Sequence, residues 1–134
     1  MTVLLVSTCA EPLSEAEFVA PLERIACDAG GTVESVHLDT LEGVPEGVSH
    51  ILLAGTALQD DKYLKEITAV KRLLGAGRPL LAVCSGMQLL ADACGGEIIA
   101  QREIGMVAVE TLVENPLCAG RFEAFALHLS LIPI

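Results

Sequence analysis

Cys84 stands where two sequence patterns meet, and together they indicate nucleophilic chemistry. The apolar run PLLAV (79–83) precedes it, and MQLLADAC (87–94) follows with helical periodicity. A buried strand that turns sharply into a helix around a central reactive residue is the layout of a nucleophile elbow. Ala82 and Gly86, two positions before and after Cys84, are small, as a crowded turn requires. We therefore interpret Cys84 as a candidate nucleophile.

The same turn would supply groups that assist the thiol. Unpaired backbone N–H groups and the positive end of the dipole at a helix N-terminus favour an anionic sulfur. The N–H of Ser85 would form half of an oxyanion hole. Gly55 ends the run ILLAG (51–55) and would bring a second N–H close if that strand neighbours the strand before Cys84. The spacing alone equally allows a core cysteine and an ordinary turn glycine.

Strand and helix patterns alternate up to Gly96. Strands are predicted over 2–8, 32–38, 51–55 and 79–83. The first helix is predicted to start at a Ser14–Glu17 capping box and to bury Phe18, Leu22, Ile25 and Ala29. The second spans 61–76 with Leu64, Ile67, Val70 and Leu74 inside, and the third buries Met87, Leu90, Ala91 and Cys94. This alternation predicts an α/β sandwich with a parallel sheet and right-handed crossovers.

The pattern changes after residue 97. The segments 106–112 and 122–132 alternate apolar and polar residues with period two, which is typical of strands with one buried face. They predict an antiparallel C-terminal extension. No repeat or linker interrupts the sequence, so we expect a single domain over 1–134.

Composition excludes several classes of function. The chain has 134 residues, 52% of them hydrophobic, and a net charge of −10, which would repel both nucleic acid and anionic membranes. No apolar run is long enough to span a bilayer. Five cysteines without metal-binding spacing favour reduced thiols in the cytoplasm. His37 and His50 are interpreted as surface or strand-end residues, and neither a metal nor a cofactor is expected.

The stretch PLLAVCSGMQLLADACGGEI, with ILLAG before it and EIGMVAVETL after it, resembles the class I (triad-type) glutamine amidotransferases. That family has a pattern close to GxCxGxQLLaxxxGGxv followed by an EIGW-like stretch, and the resemblance covers roughly residues 1–132. It implies a flavodoxin-like, three-layer sandwich with a mostly parallel central sheet. It also implies hydrolysis of glutamine, with ammonia handed to a synthetase subunit or domain.

The resemblance implies a role for each matching residue. Cys84 would attack the side-chain amide of glutamine and form a γ-glutamyl thioester, which water then cleaves. Gly55 and Ser85 match the oxyanion donors, and Gln88 matches a residue that seats the substrate. His128, with Leu129 beside it in FALHLSLIPI, matches a strand motif that lines the glutamine site through its backbone.

This sequence departs from the family pattern at several positions. Ala82 replaces the first elbow glycine, Met87 replaces a frequent histidine, and the loop usually written SGGP reads AGTA. The later His-Pro-Glu segment, which supplies the catalytic histidine and glutamate, does not occur, and no carboxylate side chain follows Glu123. We therefore expect either a domain truncated at its C-terminus, whose full-length form would be the enzyme, or a complete chain in which hydrolysis is weak or missing because the base is absent.

Two alternatives stay open beside a glutamine amidotransferase domain. A non-catalytic module of the same fold would use the cleft or an exposed sheet edge to bind a partner. A related cysteine γ-glutamyl hydrolase would share the elbow but differ in the acyl group or in the accepting nucleophile. The EIGM stretch does not identify the acceptor of the ammonia.

Overall fold

The computed structural model describes residues 1–99, 103–108 and 125–130. The chain divides into two compact units, Met1–Ile98 and Ile99–Ile134. The single domain over 1–134 stays a prediction.

The first unit is built on a parallel sheet of four strands in the order β2-β1-β3-β4. The strands are β1 (Thr2–Ser7), β2 (Thr32–His37), β3 (His50–Leu53) and β4 (Leu80–Ala82). All four predicted strands are confirmed, and each ends one or two residues earlier than expected. Because every strand runs in the same direction, the loops after β1, β3 and β4 meet at one edge of the sheet.

Helices cover both faces of this sheet, which gives the three predicted layers. The helices are α1 (Pro12–Phe18), α2 (Ala20–Asp28), α3 (Ile67–Gly75) and α4 (Ser85–Ala93), with short 3-10 turns at Leu38–Thr40 and Lys62–Lys65. Leu4 and Val6 of β1 pack in one cluster with α3 and α4, whereas Leu5 packs with the α1–α2 layer. Alternate residues of β1 thus supply two cores, as expected of a strand buried on both faces.

The helix before β2 differs from the prediction. It starts at Pro12 rather than at Ser14, and it is interrupted at Val19, so the predicted capping box does not form. Pro21 lies in the first turn of α2 and has no N–H to donate to the carbonyl four residues earlier, which explains the interruption. In α2, Ala26 is buried, whereas Ile25, predicted to lie inside, is 64% exposed.

The other two helices match the prediction only in part. Val70 is buried as expected, and Leu64, Ile67 and Leu90 pack, partly buried, against the core. In the predicted 61–76 helix, a 3-10 turn precedes α3, and Leu73 rather than Leu74 is buried. In α4, Leu89 is buried and Met87 is 51% exposed. The inner face predicted for α4 was therefore largely wrong, because contacts of Gly86 with the end of β3 fix how that helix faces the sheet.

In the second unit, β5 (Glu103–Ala108) pairs with β6 (Phe125–Ser130) in an antiparallel, two-stranded sheet. Period-two alternation thus identified both strands, although β5 begins before the predicted segment 106–112. The two strands form a sheet of their own, so the antiparallel extension of the central sheet stays a prediction.

Candidate active site

Cys84 occupies the turn between β4 and α4, and its backbone is in a conformation that side chains rarely adopt. Its φ is 56° and its ψ is −127°. Among the residues that the structure describes, it is the only non-glycine residue with positive φ. Such a conformation costs about 1–3 kcal/mol and persists only where the surroundings enforce it. The residue is exposed, and it directly precedes the N-terminus of a nine-residue helix.

Gly86 explains why the turn needs a small residue after the cysteine. A Cβ at position 86 would lie 2.6 Å from the carbonyl oxygen of Ala54 and 2.8 Å from that of Leu53. Both are backbone atoms at the end of β3, so they cannot move aside cheaply. The close approach of α4 to β3 is therefore possible only with glycine at this position.

Gly55 lies directly against Cys84, as the sequence predicted for neighbouring strands. A Cβ on Gly55 would lie 2.6 Å from the Cys84 Cβ and 3.2 Å from its Sγ. Within the described part of the chain, the backbone N–H groups of Gly55 and Ser85 donate to no other protein group. The structure thus brings Cys84, Gly55 and Ser85 together, and the oxyanion role of the two amides stays a prediction.

The loop that carries Gly55 is held by contacts that the sequence did not reveal. The Thr8 hydroxyl donates to the Ala54 carbonyl at 3.1 Å, and the Cys9 thiol donates to the Gly55 carbonyl at 3.5 Å. The Thr56 N–H donates to Ser85 Oγ at 2.9 Å. Because these bonds restrict the peptides on both sides of Gly55, its own N–H has little freedom to turn away.

Thr56 stands where the family loop usually has glycine, and its hydroxyl ties the loop to Asp60. The Thr56 hydroxyl donates to Asp60 Oδ2 at 2.7 Å, and the Ala10 N–H donates to the same oxygen at 2.6 Å. Burial pushes the pKa of Asp60 upward, but the hydrogen bonds from Ala10, Thr56 and the Lys62 N–H outweigh it and hold the pKa below its ordinary value. Thr56, which departs from the family pattern, therefore holds the loop AGTA to Asp60 through its own hydroxyl.

Gln88, the predicted substrate-binding residue, lies in the first half of α4 and is partly buried. Its side-chain Oε1 accepts a hydrogen bond from the Tyr63 hydroxyl at 3.3 Å. Tyr63 is only 8% exposed and belongs to none of the motifs predicted from the sequence. Burial raises the pKa of Tyr63, and the nearby charges of Cys84 and Asp60 raise it further. The phenol therefore keeps its proton, and remains a donor, at neutral pH.

His37 ends β2, as predicted for a strand-end residue. Its Nδ1 lies 2.5 Å from Asp39 Oδ1, and its Nε2 lies 2.9 Å from the Cys9 carbonyl oxygen. Burial lowers the pKa of His37, but hydrogen bonds to Asp39 and the Cys9 carbonyl outweigh it, so the pKa is raised. His37 lines a cavity of about 410 Å³ at the ends of β1 and β2, which also includes Lys62 and Tyr63.

The remaining predicted site residues belong to the second unit. His128 and Leu129 lie on β6, opposite Gly105 and Ile104 of β5. Their substrate-binding role stays a prediction. Glu123 and Cys118 fall outside the described residues.

No group of three or more His, Cys, Asp or Glu side chains within 1–99, 103–108 and 125–130 is arranged to hold a metal ion. No helix in those ranges is long and apolar enough to cross a membrane.

These features define an α/β protein with a flavodoxin-like sheet and a cysteine at a sharp strand–helix turn. The family model described as "Glutamine amidotransferase class-I" matches residues 14–127. The chain therefore belongs to the class I glutamine amidotransferase family.

The chain is also similar to curated proteins and to solved structures. The chain is 39% identical over 61 residues to a glutamine-hydrolyzing GMP synthase of Thermomicrobium roseum, a match that covers 42% of this chain and 12% of the relative. A glutamine amidotransferase of Thermotoga maritima superposes with a TM-score of 0.65 at 22% identity, over 96% of this chain and 60% of that one.

A second solved structure, that of a GMP synthase component from Thermoplasma acidophilum, gives a TM-score of 0.63 at 19% identity. The match covers 79% of this chain and 52% of that protein. At this identity the solved structures establish the fold. The chain spans about half to three fifths of their length, and a smaller share of the GMP synthase from Thermomicrobium roseum.

Proposed function

We propose that this domain hydrolyses glutamine through Cys84 and supplies ammonia to a synthetase partner or domain. The observation that carries the proposal is the positive φ of Cys84, enforced where Gly55 and Gly86 admit no side chain. A residue that stores backbone strain at an exposed position points to function, because stability alone would favour glycine there.

The reaction begins with attack of the Cys84 sulfur on the side-chain amide carbon of glutamine. The carbonyl oxygen becomes negative, and the N–H groups of Gly55 and Ser85 donate to it. The tetrahedral intermediate then collapses, the C–N bond breaks, and the amide nitrogen leaves as ammonia after gaining a proton. Water cleaves the resulting γ-glutamyl thioester, which releases glutamate and restores the thiol.

Proton transfer in this scheme needs a general base, a role that histidine fills most often. His37 has both ring nitrogens engaged by Asp39 and Cys9. His50 is at the amino end of β3, whereas Gly55 and Cys84 meet at the opposite edge of the sheet. Neither histidine of the first unit is therefore placed to serve Cys84.

The match to a GMP synthase supports a synthetase that aminates a nucleotide as the consumer of the ammonia.

Four described cysteines, Cys9, Cys27, Cys84 and Cys94, are free thiols, which supports a reducing compartment such as the cytoplasm.

Labelling with a glutamine analogue tests the proposal. The protein is treated with 6-diazo-5-oxo-norleucine, and the modified cysteine is located by peptide mass spectrometry. We expect modification of Cys84, protection by excess glutamine but not by glutarate, which lacks the amide, and no modification at position 84 in Cys84→Ser. Labelling of Cys27 or Cys94 at an equal rate, or no protection by glutamine, would refute it.

A further inference from the structure

We propose that Tyr63 is a positioning residue that holds the side-chain amide of Gln88 in one orientation, with its NH₂ group directed to the ligand. The inference rests on the proposed function and deepens it, because it states what Gln88 recognises. Tyr63 belongs to the 3-10 turn Lys62–Lys65, which is far in sequence from the elbow.

The contact between the two side chains is specific. The Tyr63 hydroxyl donates to Gln88 Oε1 at 3.3 Å, and Tyr63 is 8% exposed, so water cannot readily replace the phenol. A carboxamide offers one oxygen acceptor and two N–H donors. Because the oxygen is held toward Tyr63, the two N–H donors lie on the side of the amide away from the phenol. Gln88 therefore recognises an acceptor, such as a carboxylate or carbonyl oxygen.

The surroundings of Tyr63 keep the phenol in the donor role. A hydrogen bond from the Ser85 side chain lowers the pKa of Tyr63, but this effect is outweighed. Ser85 Oγ also accepts the Thr56 N–H at 2.9 Å. Burial and the nearby negative groups raise the pKa of Tyr63, so the hydroxyl keeps its proton while Cys84 reacts.

A conservative substitution tests this role. Tyr63→Phe removes only the hydroxyl and keeps the ring in its buried place. We measure the saturation constant and the limiting rate of Cys84 labelling by 6-diazo-5-oxo-norleucine. We expect the saturation constant to rise about tenfold, as loss of one buried hydrogen bond implies. The limiting rate should stay within about twofold, because Cys84 and the two amides are untouched.

A double-mutant cycle separates positioning from a merely structural effect. In a Gln88→Met background, Tyr63→Phe should cause no further rise, because the residue through which it acts is gone. Equal effects of Tyr63→Phe with and without Gln88 would overturn the proposal. Ser49→Ala is the matched control, since its hydroxyl donates to the Thr2 carbonyl at 2.8 Å at the amino end of the sheet. It should leave labelling unchanged.

A second measurement decides the question even if Cys84 is not labelled at all, a result that would refute the proposed function alone. The side-chain NH₂ resonances of Gln88 are assigned in a ¹⁵N spectrum by their absence in Gln88→Met. In Tyr63→Phe we expect them to shift and to broaden as the amide gains freedom. Unchanged Gln88 resonances would overturn the positioning role.

Discussion

Cys84 and Cys9 lie at the same edge of the sheet, but their thiols and backbones have different roles. At the end of β4, Cys84 has a strained backbone and is exposed. At the end of β1, Cys9 is 4% exposed, its thiol donates to Gly55, and its carbonyl oxygen contacts His37. The Cys84 thiol is thus accessible to solvent, whereas Cys9 uses its polar groups to hold the loop beside it.

This difference shows how a parallel sheet separates reaction from support. The loops after β1, β3 and β4 all reach the same edge, yet only the turn after β4 has a side chain at positive φ among the described residues. The loop after β1 holds Gly55 and Asp60 through Thr8, Cys9 and Ala10. We expect substitutions at the elbow to abolish or strongly slow the reaction of Cys84. Substitutions in the loop after β1, which supports Gly55, should change its rate by smaller factors.

Among variants that keep Cys84, the largest effect on its labelling is expected from Gly55→Ala. The new methyl group would lie 2.6 Å from the Cys84 Cβ, so either the cysteine or the loop must shift. Loss of one oxyanion donor costs about 10²–10³ in rate, and we expect Cys84 labelling to slow by about that factor. Gly43→Ala is the control, because nothing lies within 4 Å of its Cβ position. A Gly55→Ala protein labelled as fast as wild type would contradict the close approach.

Gly86→Ala should be the most destabilising of the elbow substitutions. Its Cβ would collide with the carbonyl oxygens of Ala54 and Leu53, at 2.6 and 2.8 Å. We expect the free energy of unfolding to fall by about 1–3 kcal/mol, measured by urea denaturation. Gly75→Ala, at the end of α3 with open space around it, should be neutral or slightly stabilising. Equal stability of the two variants would mean that α4 does not pack as described.

Cys84→Gly should stabilise the fold while it abolishes labelling. Glycine adopts positive φ without the steric cost that a side chain has, so the strain at position 84 is relieved. Relative to Cys84→Ala, which retains a Cβ, we expect a gain of about 1 kcal/mol in the free energy of unfolding. If Cys84→Gly were the less stable of the two, the turn would not be strained.

The smallest effect is expected at His37, which contacts the Cys9 carbonyl, and it depends on pH. Because the folded-state pKa of His37 is raised above 6.5, the stability it contributes is fully present below pH 6.5. That stability is lost as the pH rises through the raised, folded-state value. The stability difference between wild type and His37→Asn should therefore be larger at about pH 6 than at about pH 9. Unfolding curves at the two pH values provide the measurement, and a difference independent of pH would mean that the Asp39 contact does not hold the proton.

The sequence predicted the sheet and the elbow because both depend on local patterns. Buried strands appear as short apolar runs, and the turn at Cys84 requires small residues at fixed offsets. The inner face of α4 could not be predicted in the same way. Periodicity selected Met87, whereas the contact of Gly86 with the end of β3 buries Leu89. Tyr63 and Asp60 also escaped notice, because their partners Gln88 and Ala10 are distant in sequence.

The central claim is that backbone geometry, rather than exposure, makes Cys84 the reactive cysteine. Cys27, Cys84 and Cys94 are all exposed, so the chain contains its own controls. The most direct measurement is the rate of alkylation of each thiol by iodoacetamide at neutral pH, read by peptide mass spectrometry. We predict that Cys84 reacts at least about tenfold faster than Cys27 and Cys94, because among these three it alone lies at a strained turn before a helix N-terminus. Similar rates at all three thiols would contradict the claim.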